Sequence, residues 1–185
     1  MNNCTICSVY SGPGGGKTTT AAHLFSQLKS LHYDVEYVNE FAKECILSKN
    51  NTAIKNQIYL FATQLYRIEC ASLHSQFVIT DSPLLLNVVY NQFTTESDYL
   101  KDLVVEQYRK FNNVDIILKR GSNHEHSMIG RIHGLTESIS LDRQIESIVK
   151  ESSDKYIMFD AFNSDIKELI EYVIVRANQF GSIQL

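Results

Sequence analysis

Residues 4–19 read CTICSVYSGPGGGKTT, and this stretch decides the fold. Residues 4–10 are rich in β-branched and aromatic side chains, which predicts a strand. A helix is predicted from Lys17 to Leu31, because apolar residues recur there at the spacing of one buried helix face. A strand, a glycine-rich turn, Lys-Thr and a helix, in this order, form the arrangement that binds nucleotide phosphates.

The glycine-rich turn supplies what a phosphate group needs. Without Cβ atoms in the way, successive backbone N–H groups can converge on a β-phosphate at the positive end of the helix. Lys17 can bridge the β- and γ-phosphates, and the Thr18 hydroxyl can ligate Mg²⁺. Ser11 stands where the motif G-x-x-x-x-G-K-[ST] has its first glycine, at the outer hinge of the turn. An ordinary glycine loop with an incidental lysine is the alternative, and the flanking strand and helix argue against it. The residues predicted to bind the nucleotide are Gly12, Pro13, Gly14, Gly15, Gly16, Lys17, Thr18, Thr19 and Arg120.

The rest of the chain repeats the alternation of strand and helix. Further strands are predicted at 35–39, 77–81, 114–119 and 155–159, with helices from near residue 41 and at about 54–72, 84–91, 97–111, 135–150 and 164–178. This order implies right-handed crossovers, hence an open, mainly parallel five-stranded sheet with helices on both faces, a three-layer α/β/α fold. The chain is predicted to be a single domain, 1–185, with a mobile lid at about 120–134.

Composition and charge exclude several classes of protein. The chain is 44% hydrophobic with a net charge of -4, so it is neither charge-driven disordered nor a polycation that adheres to any DNA or membrane. Residues 109–133 hold five basic and two acidic residues, which suggests a local anionic ligand. The spacing of Cys4 and Cys7 places them on opposite faces of a strand, against a zinc or redox pair. We expect a reduced, soluble protein of the cytoplasm, with no membrane segment.

Two carboxylates follow predicted strands. Asp81 closes the third strand, where it can hold a Mg²⁺-bound water or the acceptor hydroxyl; a helix N-cap is the alternative, and both roles can coexist. Glu40 follows the second strand, where it can orient or deprotonate an attacking hydroxyl; a first-turn carboxylate that interacts with the helix dipole is the alternative. In open α/β sheets ligands bind beyond the carboxyl ends of the strands, and both residues fall there.

The long helix predicted over 54–72 carries Gln57, Gln64 and Arg67 at spacings that place them on one side. Phe61 belongs to the same side, which forms an apolar wall interrupted by amide and guanidinium groups. Such a wall suits an aromatic base held by stacking and edge hydrogen bonds, whereas a solvated helix face is the equally weighted alternative. The residues predicted to bind the acceptor are Glu40, Gln57, Phe61, Gln64, Arg67 and Asp81.

Arg131 lies in the glycine-containing segment 120–134. A guanidinium on such a loop can close over the nucleotide and neutralise charge on the transferring phosphoryl group. A solvated basic loop is the alternative. The predicted catalytic residues are therefore Lys17, Glu40, Asp81 and Arg131, with Thr18 and Asp81 organising the metal.

Four segments resemble small phage-encoded P-loop kinases: 11–25 (SGPGGGKTTTAAHLF), 34–44 (DVEYVNEFAKE), 57–64 (QIYLFATQ) with Arg67, and 79–86 (ITDSPLLL). The likeness covers about residues 4–145. These kinases are similar to thymidylate and nicotinamide riboside kinases, and some phosphorylate 5-hydroxymethyluracil within phage DNA. The resemblance implies ATP and Mg²⁺ as cofactors and host cytoplasm as the location. By this resemblance, the phosphate loop of these kinases corresponds to residues 11–18 and their lid arginine to Arg131. Their acidic residue after the second strand corresponds to Glu40, and the one at the end of the third strand to Asp81.

Several functions remain open at this point. No Asn-Lys-x-Asp element for reading guanine occurs, and oligomeric remodelling ATPases usually have a longer chain with a helical lid domain, which leaves the small kinases. The leading hypothesis is a Mg²⁺/ATP-dependent kinase acting on a hydroxyl of a nucleotide-type acceptor, such as 5-hydroxymethyluracil in DNA. The alternatives are a nucleoside or nucleoside-monophosphate kinase, and a non-catalytic ATP-binding switch with a protein partner. A dimer is compatible with the sequence.

Overall fold

The structure, a computed structural model, describes residues 4–94, 98–120, 135–161 and 164–181. Strands and helices alternate along these residues, as the sequence predicts, and the element boundaries differ from the predicted ones by a few residues. The strands are β1 (Thr5–Tyr10), β2 (Val35–Val38), β3 (Phe77–Thr80), β4 (Asn112–Leu118) and β5 (Tyr156–Phe159). The helices are α1 (Lys17–Ser30), α2 (Phe41–Leu47), α3 (Asn51–Ile54), α4 (Gln57–Ser72), α5 (Leu86–Asn91), α6 (Asp98–Tyr108), α7 (Leu135–Ser152) and α8 (Ile166–Gln179).

β1 lies at the centre of a five-stranded sheet whose order is β2-β3-β1-β4-β5. Every strand pairing in the described part of the chain is parallel, and Cys7 is in register with Ile79 of β3 and with Val114 of β4. The predicted open parallel α/β sheet is therefore confirmed. Because neighbouring parallel strands end at the same edge of the sheet, the loop after β1 lies between the segments that follow β3 and β4.

The two faces of the sheet bury separate hydrophobic clusters. One cluster joins Ile6 and Tyr10 of β1 to apolar residues of α4, α5, α6 and α7. The other joins Cys7 and Val9 to α1 and α8. Alternate residues of β1 thus point to opposite faces, and helices cover both, which makes three layers. Cys4 belongs to the first cluster and Cys7 to the second, as the strand periodicity predicts.

The predicted helix over 54–72 is wrong at its start. The structure has two helices here, because each has its own N-terminal cap. Asn50 caps α3 by accepting a hydrogen bond from the Ala53 N–H at 3.1 Å. Asn56 caps α4 by accepting one from the Tyr59 N–H at 3.0 Å. The chain therefore breaks between Ile54 and Gln57, where a single continuous helix is predicted. The break matters for the site, because Ile54 and Lys55 line the cavity described below.

Among the helices of the described ranges, none has both the length and the apolar character that a membrane-crossing segment requires.

Candidate active site

The phosphate loop, residues 11–18, joins β1 directly to α1. Gly14 and Gly16 have φ values of 79° and 90°, a left-handed conformation that strongly favours glycine. Gly16 occupies the N-cap position of α1, and the Gly15 N–H donates to the Gly12 carbonyl oxygen at 3.2 Å. The loop therefore curls back on itself immediately before the helix, as the glycine-rich stretch predicts.

The Lys17 side chain binds backbone carbonyl groups of its own loop. Its Nζ donates to the carbonyl oxygens of Ser11 at 2.8 Å and Gly12 at 3.3 Å. Burial lowers the pKa of the Lys17 ammonium, and the nearby carboxylates of Glu40, Asp81 and Asp142 act in the opposite direction. The loop thus holds a partly buried cation near three carboxylates, which is the charge pattern expected where a polyphosphate binds together with a metal ion.

Thr18 and Asp81 face each other across the β1–β3 edge. The Thr18 hydroxyl donates to Asp81 Oδ2 at 2.5 Å, and Asp81 is only 4% exposed. The other carboxylate oxygen, Oδ1, is buried without a hydrogen-bond partner among the described residues. A buried carboxylate with one unused oxygen beside a hydroxyl is a donor set of hard oxygens, which fits Mg²⁺. The N-cap alternative for Asp81 is wrong, since α5 begins only at Leu86.

Glu40 precedes α2 at the N-cap position, yet its side chain makes no capping hydrogen bond. Glu40 instead lines the cavity that opens from the phosphate loop. Burial raises the pKa of Glu40, the Asp81 charge raises it further, and the Lys17 and Lys43 charges lower it. A carboxyl group with a raised pKa that faces an open cavity has the properties of a general base.

One cavity of about 530 Å³ runs from the phosphate loop into the space between α2, α3, α4 and α5. Much of its far wall is apolar, and Phe41, Leu60, Leu86, Tyr90 and Phe93 contribute to it. Gln57, Gln64 and Asn87 place amide groups among them. A mostly apolar pocket with a few amides suits an aromatic ring system that carries hydrogen-bonding edges.

The cavity amides are held in place by protein contacts. Gln57 Nε2 donates to Asn87 Oδ1 at 2.7 Å, and Asn87 Nδ2 donates to the Leu84 carbonyl oxygen at 2.9 Å. Gln64 Oε1 accepts from the Phe41 N–H at 3.3 Å, so Gln64 ties the start of α2 to α4. Sequence reasoning identified both glutamines but not Asn87, because a single amide within the short helix α5 has no pattern that marks it.

Three residues predicted to bind the acceptor do not line the cavity: Arg67, Phe61 and Asp81, of which Asp81 contacts Thr18 instead. Arg67 forms a two-point ion pair with Glu44, at 2.7 and 2.8 Å, and its guanidinium lies 4.7 Å from the centre of the Phe41 ring. Phe61 is 3% exposed and belongs to the hydrophobic cluster between α4 and the sheet. Arg67 therefore supports Phe41 from outside the cavity, and Phe61 supports α4 from the core.

Arg120, predicted to bind the nucleotide, contacts the phosphate loop. Its guanidinium donates to the Pro13 carbonyl oxygen at 3.1 Å and to Asp142 Oδ2 at 2.8 Å. Asp142 was missed in the sequence, because it follows the buried Leu141 on α7 and has the pattern of an ordinary partly exposed helix position. Arg131 and the proposed lid beyond residue 120 lie outside the described residues, so their predicted roles stay predictions.

Together these features define a nucleotide-phosphate-binding α/β protein whose phosphate loop opens into a mostly apolar cavity. A protein-family model described as "AAA domain" matches residues 8–165, and the chain belongs to that family. The family match supports nucleotide binding at the phosphate loop.

One solved structure shows a similar fold. The chain is similar to "Crystal structure of NadR protein in complex with NR", with a TM-score of 0.68 and 15% identity over 98% of this chain and 53% of that one. It therefore spans about half the length of that protein. A second structure, "Crystal structure of APE1195", has 15% identity over 97% of each chain, with a TM-score of only 0.48. No curated protein matches the chain by sequence.

Proposed function

We propose that the chain is an ATP-dependent kinase that transfers the γ-phosphoryl group of ATP to a hydroxyl group of a nucleotide-type acceptor. One observation carries this proposal: a single cavity joins the phosphate loop to a mostly apolar pocket, and Glu40 is among the residues that line it. A nucleotide-binding protein that only switches conformation has no need of a second binding space beside the phosphates. A kinase needs one, because the acceptor hydroxyl must approach the γ-phosphate in line with the bond that breaks.

Each residue of the site has a role that follows from its position. The loop amides and Lys17 hold the triphosphate, as Lys17 exchanges its contacts with the Ser11 and Gly12 carbonyls for phosphate oxygens. Thr18 and Asp81 would hold Mg²⁺, which neutralises charge on the phosphates when it is bound. Glu40 accepts the proton of the acceptor hydroxyl as that oxygen forms its bond to the γ-phosphorus. The bond from the γ-phosphorus to the bridging oxygen breaks, and ADP leaves with the electron pair.

The more specific proposal is that the acceptor is 5-hydroxymethyluracil within DNA. The resemblance to phage kinases motivates it, and two features of the cavity support it. Gln57 and Asn87, which are hydrogen-bonded to each other at 2.7 Å, place a fixed amide pair in the wall beside which a base edge would lie. The exposed Lys43 and Lys55 also line the cavity, so a strand that enters it meets positive charge for its phosphates.

A free nucleoside or nucleoside monophosphate is the second candidate acceptor. The structural similarity to a NadR protein that was crystallised with NR favours it. Incubation with γ-labelled ATP and, in separate reactions, 5-hydroxymethyluracil DNA, thymidine and dTMP distinguishes the candidates. The DNA proposal predicts label in the DNA alone, whereas label only in a free mononucleotide excludes it. ATP binding without transfer to any acceptor supports the non-catalytic switch instead.

A further inference from the structure

Helix α7 packs directly against the outer turn of the phosphate loop. A Cβ atom built on Gly12 would lie 2.6 Å from the Ser138 carbonyl oxygen and 2.9 Å from Asp142 Oδ1, both on α7. Gly12 lacks the left-handed φ of Gly14 and Gly16. The glycine at this position therefore makes room for α7 and does not serve an unusual backbone conformation.

Asp142 uses both of its carboxylate oxygens at this contact. Oδ1 accepts the Gly12 N–H at 2.5 Å, and Oδ2 accepts Arg120 Nε–H at 2.8 Å. Arg120 in turn donates from its terminal NH₂ group to the Pro13 carbonyl oxygen at 3.1 Å. The side chains of Arg120 and Asp142 are 17% and 24% exposed, so the pair is largely shielded from water. One carboxylate thus fixes the loop backbone and the orientation of a guanidinium at once.

We infer that Asp142 is a positioning residue for nucleotide binding, which holds Arg120 and the outer turn of the phosphate loop in the geometry that receives the triphosphate. The inference rests on the proposed binding of ATP by that loop, but not on phosphoryl transfer. With Nε engaged by Asp142 and one NH₂ group on Pro13, the guanidinium keeps further N–H donors for the nucleotide. Charge-assisted contacts of this kind hold a fixed direction better than neutral ones.

The direction in which ATP affinity changes when the Asp142 carboxylate is removed distinguishes a positioning role from a purely electrostatic one. Asp142 and Arg120 both act on the charge state of Lys17, in opposite directions, so both lie within electrostatic reach of the phosphate site. Removing the Asp142 carboxylate leaves the site more positive, and charge alone would then tighten the binding of a triphosphate. A positioning role predicts weaker binding of the triphosphate, because Arg120 and the loop lose the contact that orients them.

Calorimetric titration of the full chain with MgATP tests this inference. We expect Asp142→Ala to weaken ATP binding by about tenfold or more, the scale of lost hydrogen bonds to a charged group. Asp142→Asn keeps an oxygen for the Gly12 N–H and should recover part of that loss. Arg120→Ala combined with Asp142→Ala should weaken binding no more than the worse single change, because the two residues act as one unit. Glu146→Ala is the matched control: it removes the same charge from α7, where Glu146 pairs with the exposed Lys150, and should change affinity less than twofold.

Thermal unfolding of each variant without nucleotide shows whether it is folded at the titration temperature. Unchanged or tighter ATP binding by folded Asp142→Ala overturns the inference, as do additive losses in the double variant. If Asp142→Ala does not fold, unchanged or tighter ATP binding by Asp142→Asn overturns the inference instead. A wild-type chain that binds no ATP contradicts both this inference and the proposed function, whereas ATP binding without transfer contradicts only the proposed kinase activity.

Discussion

Replacing Gly15 with alanine tests how closely the phosphate loop is packed. A Cβ atom at Gly15 would lie 2.3 Å from Ser11 Oγ and 2.6 Å from Ser11 Cβ. Ser11 is 3% exposed and its hydroxyl donates to the Gly12 carbonyl oxygen at 3.1 Å, so this short side chain has little room to move. Overpacking of this kind costs about 1–3 kcal/mol. If the loop relieves the strain by opening, ATP binding must restore the closed form, and the Kd for ATP should rise by about 5- to 150-fold.

Ser11→Gly supplies the internal control for Gly15→Ala. It removes both Ser11 atoms that the new Cβ would meet, and the nearest remaining atom is the Gly12 carbonyl oxygen at 3.4 Å, close to an ordinary contact. We therefore expect Gly15→Ala to be nearly harmless in a Ser11→Gly background, measured by calorimetric titration with MgATP. Wild-type affinity in the single Gly15→Ala variant, or no recovery in the double variant, would refute the close packing of Ser11 against Gly15.

Three further predictions follow from the charges of the molecule. Glu40→Gln should slow transfer by about 10²- to 10⁴-fold, and in the wild type the rate should rise with pH through a pKa above that of an ordinary glutamate, a limb that the variant lacks. Burial raises the pKa of Asp115 from 3.8 to about 6, so its contribution to the unfolding free energy should fall by about 2 kcal/mol as pH rises from 4 to 6. In urea titrations the wild type should lose this much stability relative to Asp115→Asn, and parallel pH profiles for the two proteins would contradict it. Arg67→Ala should change the unfolding free energy by less than about 1 kcal/mol and leave the acceptor KM unchanged, because its partner Glu44 is exposed and neither residue lines the cavity. A raised KM would contradict this and show that Arg67 acts on the acceptor, directly or through Phe41.

The parts of the site that follow strands could be predicted from the sequence. Strand periodicity and the glycine-rich turn place residues 11–18 at the end of β1, and parallel pairing brings Asp81 beside them. Glu40 follows from the same rule at the end of β2. These predictions succeed because a parallel sheet places the carboxyl ends of its strands at one edge, whatever the side chains are.

The helix-borne residues were harder to place. At about 100° per residue, Gln64 lies within about 20° of Gln57 around α4, but Phe61 lies about 40° away on one side and Arg67 about 80° away on the other. A face that wide meets three environments: Phe61 enters the core, the glutamines line the cavity and Arg67 reaches Glu44. Spacing along one helix cannot separate these environments, because they depend on how α2 and the sheet pack around it.

Contacts between distant segments had no signal in the sequence at all. Asp142 lies 130 positions after Gly12, and only the packing of α7 against the loop brings them together. Gln57 and Asn87 meet in the same way through the packing of α4 and α5.

A crystal structure with a non-hydrolysable ATP analogue, Mg²⁺ and an acceptor tests the central claim most directly. We expect the triphosphate on the amides of residues 12–18, and the acceptor ring in the cavity with its hydroxyl about 3 Å from the Glu40 carboxyl group. A triphosphate bound elsewhere, or an acceptor whose hydroxyl lies away from both Glu40 and the γ-phosphate, would contradict the account.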